Sequence, residues 1–280
     1  MSFFDKMMQI DRRWVYLAIG LAVIIPSIKS FDVPVSVSPE VKKIYDFVDT
    51  LQAGDHLFVC VDYDPSSMAE LNPMAVAIVN QAFEKDIKIV FVTLSQFGPG
   101  LVEQITSELA ANHNKERGID YAFLGYRPYP AIVILAMGVD FRVPFPQDYY
   151  GVPLDSLPVM DGIKNFDDVK GVIEITSGNT AEFWLIYGNG RYGFPLAIGI
   201  TGVMSANYYQ YLSSGQLFGI IPGVKGAAEY EELVGYPGEG KAQMAYQVIA
   251  HGVIIVFIII SNIAFFATRK RKSGLDGGKL

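Results

Sequence analysis

Residues Ala245 to Thr268, AYQVIAHGVIIVFIIISNIAFFAT, run 24 positions without a fixed charge. As a helix rising about 1.5 Å per residue, this run reaches about 36 Å, enough to cross a hydrocarbon core of about 30 Å with some tilt. A segment of that kind leaves a chain few options besides a membrane anchor. Trp14 to Ile28, WVYLAIGLAVIIPSI, is a second apolar run, shorter and containing Pro26. It is expected to span if Arg12, Arg13 and Lys29 extend to the two surfaces. A secretory signal peptide is the competing reading, but no small-x-small cleavage site follows Pro26, so an uncleaved anchor is expected.

Charge sets the orientation. Residues 1–13 carry a net +1 and residues 269–280 a net +4, in a chain whose total is −7. The intervening residues therefore hold −12. Basic residues flank both runs on the same side, which predicts cytoplasmic termini. The expected organisation is a cytoplasmic N-terminus over 1–13, a membrane helix over 14–29, an extracytoplasmic domain over 30–240, a membrane helix over 241–268 and a cytoplasmic basic tail over 269–280. An acidic domain excludes nucleic acid and anionic membrane surfaces as partners. Cys60 is the single cysteine, so no internal disulfide forms, and no cysteine-based zinc site is expected.

The central stretch is long enough for one well-filled domain and shows no internal repeat. Ser38-Pro39-Glu40 reads as a helix start, with Gly54 closing that helix. Expected strands are His56–Asp62, Ile87–Ser95, Ile119–Tyr126, Gly171–Thr176, Phe194–Thr201 and Leu217–Ile221. Helices are expected from Asn72-Pro73 to about Lys85 and over Leu101–Ala111, Thr180–Tyr187, Ala206–Leu212 and Ala227–Leu233. The run AIVILAMG after Pro130 fits a buried helix or a strand equally. Asp140 to Asn165, rich in proline and aromatics, reads as loop. Strands that are continuous Val/Ile/Phe runs separated by helices predict a parallel sheet covered on both faces. The expected fold is a doubly wound, Rossmann-like α/β domain between two membrane helices. In outline this resembles the auxiliary proteins of gliding-type ABC exporters, which hold such a domain between membrane anchors; the resemblance is architectural and carries no residue across.

Ligands bind doubly wound sheets at the carboxyl ends of the strands. The first such end, Asp62-Tyr63-Asp64, resembles the D-x-D loop of haloacid-dehalogenase-type phosphatases, with Thr93 and Ser95 where that family places a phosphate-binding hydroxyl. The resemblance implies a magnesium-dependent phosphatase-like enzyme with Asp62 and Asp64 as its acids, and Lys164 with Asp167 and Asp168 to complete the set. The family has Thr or Val two positions after the second aspartate, where this chain has Ser66 after Pro65. The plainer expectation is that both aspartates cap a turn. A second candidate is the glycine-rich stretch Gly215 to Gly226, where Gly223, Lys225 and Gly226 would cradle an anion at a helix start; tight helix packing explains the glycines equally well. His56, His113 and His251 are too scattered to share a metal, and no serine sits in a G-x-S-x-G elbow.

Sixteen Tyr and eighteen Phe exceed the needs of one core. They concentrate in Asp140–Pro158, where Phe141, Phe145, Tyr149 and Tyr150 are expected at an interface. The preferred reading is a non-catalytic, membrane-anchored extracytoplasmic assembly module, with no cofactor and no metal, that binds copies of itself or other membrane proteins. The phosphatase is one alternative, and a ligand-binding accessory subunit of a transporter is another.

Overall fold

A computed structural model describes residues 11–28, 34–236 and 238–276, the last eight of them by backbone alone. The chain divides into two units, residues 34–241 and the two terminal segments 1–33 and 242–280. The termini contribute helix α1 (Arg12–Ile28) and most of helix α10 (Glu239–Asp276). Among the described residues, one helix is long and apolar enough to cross a membrane, over Glu239–Thr268. The expectation of two spans is corrected to that extent. Helix α1 has 17 residues, starts on two arginines and carries Pro26 inside it, so its apolar length falls short of a bilayer core. Lys6, Lys29 and the side chains of the basic tail lie outside the described residues.

The central domain is a six-stranded, all-parallel sheet: β1 His56–Asp62, β2 Lys88–Thr93, β3 Tyr121–Tyr126, β4 Gly171–Thr176, β5 Leu196–Ile200 and β6 Gly219–Pro222. Its order, β3-β2-β1-β4-β5-β6, is that of a doubly wound, Rossmann-like fold, in which the winding direction reverses between β1 and β4. The reversal seam is in register from Leu57 opposite Gly171 to Asp62 opposite Thr176. Alternation along the strands sends Leu57, Val59, Val61 and Tyr63 to one apolar layer and Phe58 and Cys60 to the other, so Asp62 falls on the second face.

The first face is covered by four regular helices, α2 Pro39–Thr50, α3 Met68–Glu84, α4 Gly98–His113 and α9 Gly223–Val234. In α2, Val41, Ile44 and Val48 recur on one side and are buried, the spacing of an amphipathic helix. Ser38 does not cap α2 through its side chain; its N–H and hydroxyl both donate to the buried Glu229 of α9.

The second face is built differently. The ambiguous run is helix α5, Pro130–Met137, entered through Tyr129 in the left-handed region at φ 64°. The stretch 140–165 has no strand or α-helix, only short 3-10 turns at Leu154–Ser156 and Pro158–Met160. It is nevertheless core, because Phe141, Phe145, Leu154, Val159 and Met160 are fully buried. The expectation that Phe141 and Phe145 lie at an exposed interface is therefore corrected. Phe141 stacks on Phe58 with ring centres 5.3 Å apart, and the backbone of 140–165 folds over the sheet instead of projecting from it. Tyr149 and Tyr150 do stay near half exposed, yet Tyr149 leans on Phe123 at 4.8 Å and Tyr150 lies under the Arg117 guanidinium at 3.8 Å.

Helix α6 follows β4: it opens at Thr180–Phe183, widens to a π turn at Trp184–Asn189 and ends at Gly190–Tyr192. The helix expected over Ala206–Leu212 is α8, Tyr209–Ser213, and a separate short helix, α7 Gly202–Ser205, precedes it. Phe166 ties the layer together, touching the rings of Phe58, Phe141, Trp184, Tyr192 and Phe194.

Candidate functional site

The β1–β4 seam is where a doubly wound sheet offers a site, and the polar residues of the second face gather there. Asp62 closes β1 with its carboxylate turned sideways onto the end of β2. Its Oδ1 accepts from the N–H groups of Leu94 at 2.6 Å and Ser95 at 3.1 Å. The Thr93 hydroxyl lies 2.7 Å from the Val61 carbonyl and 3.1 Å from the same Oδ1, so one proton serves both. The other oxygen, Oδ2, accepts from the Cys60 thiol at 3.2 Å. Asp62 is thus bonded into the loop after β2, with 4% of its surface exposed.

Thr93 is closed off as well. A Cβ on Gly98, at the start of α4, would fall 1.8 Å from the Thr93 hydroxyl oxygen and 2.6 Å from the Val61 carbonyl. Only glycine lets α4 sit this close. A hydroxyl covered by a helix start and already bonded to the backbone has no face to offer a phosphate.

Asp64 points elsewhere. Its Oδ1 accepts from the Ser66 N–H at 2.7 Å, the Ser66 hydroxyl at 2.5 Å and the Ser67 N–H at 3.3 Å. That is an Asx turn leading into α3. The Ser66 hydroxyl above all, with these N–H groups, holds its carboxyl below the usual range against the opposing effect of burial. Asp168, the acid expected to complete a phosphatase set, accepts from the N–H groups of Lys164 and Asn165 and closes a capping box with Asn165.

The glycine-rich stretch is occupied by the chain's own side chains. Gly223 opens α9 at φ 56°, and a Cβ there would meet a Glu70 carboxylate oxygen at 2.5 Å. The same oxygen accepts from the Gly202 N–H at 2.6 Å, so Glu70 stands where an anion would have bound. Lys225 pairs with Glu229 one turn on, and Gly226 is packed against Ile221 and Pro222.

What the expected residues do not include is Glu174, in the middle of β4 and directly opposite Cys60. Ligand atoms of Cys60, Asp62 and Glu174 lie within 4.8 Å of one another, all three residues buried. Neither carboxylate oxygen of Glu174 has a partner in hydrogen-bond geometry, although the Cys60 thiol and the Thr180 hydroxyl lie near enough to favour its charged form; the Tyr208 hydroxyl and the Trp184 indole N–H in the same layer have no partner. Burial pushes the Glu174 carboxyl well up, with the Asp62 charge adding to it. Burial likewise raises the Cys60 thiol and, against its hydrogen bonds, the Asp62 carboxyl. The expectation that a single cysteine rules out a cysteine-containing metal site considered only thiolate sets; here one thiol meets two carboxylates. The signal in the sequence was one acid inside the apolar run GVIEIT, and it became meaningful only once β4 was known to lie beside β1.

Beyond the seam, Gln147, Asp148 and Tyr149 line a pocket of about 330 Å³ at the end of β3 with Pro99, Gly125 and Arg127. His56 Nε2 bonds the Val159 carbonyl at 2.8 Å and His113 Nε2 bonds Asn80 at 2.8 Å, so both serve packing. The chain matches no protein-family model, no curated protein and no solved structure.

Proposed function

We propose that the protein is a non-catalytic, membrane-anchored module whose α/β domain docks on further copies of the chain, or on other proteins of the same membrane. The observation that carries this reading is the outer surface around α5. Residues 129–139, YPAIVILAMGV, contain no charge; Ile132 is 68% exposed, and Tyr129 and Val139 in the same run and Val143 shortly after it are exposed as well. The π turn of α6 packs against α5 and adds Ile186, 62% exposed. Large apolar side chains gathered on one surface of a domain mark a protein contact. A membrane tether raises the local concentration of partners held in the same plane, which makes a modest patch sufficient.

The finer topology belongs to the same proposal. If α10 crosses with its basic tail inside, the domain is extracytoplasmic whatever α1 does. A reporter active only in the cytoplasm should be active after Leu280 and silent when inserted at Asn114; the reverse pattern sinks the topology.

Assembly is tested separately, by native mass in mild detergent. The wild type should run as an oligomer or with a bound membrane protein, and Ile132→Asp with Ile186→Asp should release a folded monomer. A wild type that is monomeric and partner-free would refute the reading.

A further inference from the structure

We propose that Cys60, Asp62 and Glu174 form a buried structural site for a divalent metal ion of borderline softness, zinc above all. The first argument is charge. Three ionisable groups, none more than 4% exposed, hold their ligand atoms within 4.8 Å of one another. Asp62 is met by backbone N–H groups and the Thr93 hydroxyl, and among the described residues no lysine, arginine or histidine forms an ion pair with Asp62 or Glu174. Buried charges without a counterion are not tolerated, and an ion of charge +2 supplies one.

The second argument is the set of unpartnered groups. Both Glu174 oxygens lack a donor in hydrogen-bond geometry, with the Cys60 thiol and the Thr180 hydroxyl only near enough to favour its charged form. Buried polar atoms in folded proteins nearly always have a partner. One cation held by Cys60, Asp62 and Glu174 gives the Glu174 carboxylate its partner.

The third argument is ligand chemistry. A thiolate with two carboxylate oxygens suits zinc, at about 2.3 Å for sulfur and about 2.0–2.2 Å for oxygen. Asp62 spends Oδ1 on backbone N–H groups and turns Oδ2 toward Cys60, and outer hydrogen bonds of this kind orient a ligating carboxylate. Binding forms the metal–sulfur bond as the thiol proton leaves to solvent, along with any proton on Glu174. A site closed on all sides takes its ion as the domain folds, so its role is to hold β1 against β4.

The competing occupant is a proton shared between Asp62 and Glu174, and the test separates the two. The full chain, carrying a non-chelating tag, is purified in mild detergent without chelator and its metal content measured by mass spectrometry. One zinc ion per chain is expected. Protein from cells grown with cobalt should show a thiolate-to-cobalt absorption band that Cys60→Ser abolishes. Glu174→Gln should lose the metal and unfold at a lower temperature. A wild type without stoichiometric metal overturns the proposal, and so does a Glu174→Gln variant as stable as the wild type, because a neutral isostere replaces a protonated acid but not a ligand. If either variant fails to fold, the wild-type metal content and the cobalt band decide.

Discussion

The two faces of the sheet bury comparable numbers of apolar side chains and treat their polar ones in opposite ways. On the regular face every buried polar side chain is answered. Tyr230 donates to Gln81, Gln81 donates to the Tyr45 carbonyl at 3.2 Å, and Tyr63 donates to Asn72 at 3.0 Å. On the irregular face, Glu174, Trp184 and Tyr208 are buried without answer. The regular face is made of four long helices, whose backbones satisfy themselves and whose side chains need only fit. The irregular face is assembled from α5, the 140–165 stretch, a π-widened α6 and short turns. π turns inside helices are frequent at functional sites, and the irregular face carries one at Trp184–Asn189.

The comparison breaks first if the irregular layer is a loose cover. Phe166→Ala removes a ring that touches five others and should cost about 3–5 kcal/mol, as deep as a core deletion on the regular face such as Ile78→Ala. Denaturant titration of the two variants measures this, and a cost for Phe166→Ala under about 1 kcal/mol would show that the layer is peripheral.

The next test uses two buried hydroxyls. Tyr230→Phe strands Gln81 and should cost about 1–2 kcal/mol, whereas Tyr208→Phe removes a hydroxyl that has no partner and should cost less than about 0.5 kcal/mol. Equal losses would mean that the Tyr208 hydroxyl has a partner in solution.

A smaller effect follows from His56, which ties β1 to Val159 of the irregular face. Burial pulls its imidazole below the ordinary value of 6.5, against the opposing pull of that hydrogen bond. The folded state then binds fewer protons than the unfolded one in that window, so stability is present above pH 6.5 and falls as pH drops below it. His56→Gln should flatten this slope; an unchanged slope would assign it to other groups.

The smallest expected change is at Asp64. Asp64→Asn should cost about 1 kcal/mol or less, because an amide oxygen caps the Ser66-Ser67 turn nearly as well. A larger loss would mean that the charge itself is needed there.

The sheet was largely legible in the sequence. GVIEIT and HLFVCVD read as strands and are strands over the same residues, because a β-branched run bounded by turn residues has no better alternative. The irregular face was not. In 140–165, proline and aromatics suit an exposed loop and a buried, non-repetitive layer equally, and only the apolar surface beneath decides between them. The helix expected from Ala206 starts inside the three-residue break 206–208 between α7 and α8, because periodicity in so short a piece does not mark where a turn ends and a helix begins. Asp62 drew attention through its neighbour Asp64, although the two point in different directions. Glu174 drew none, because an acid facing a sheet interior is an exception to the pattern that identifies the strand. Gly98 lies just ahead of the expected helix Leu101–Ala111 and is the reason Thr93 is sealed, a fact of close approach that spacing does not encode.

The seam between β1 and β4 also has a consequence in time. Asp62 and Thr176, joined across it by a hydrogen bond, are 114 residues apart in the chain. During synthesis, β1 can pair with β2 as soon as α3 has formed, but its other edge stays open until the 140–165 stretch and β4 emerge. An open, apolar edge is a template for the wrong strand, and contacts this distant in sequence form late. The half-finished sheet would carry Cys60 and Asp62 uncovered through that interval. Folding yield should therefore depend on whatever shields that edge, or on how quickly the ribosome delivers its partner.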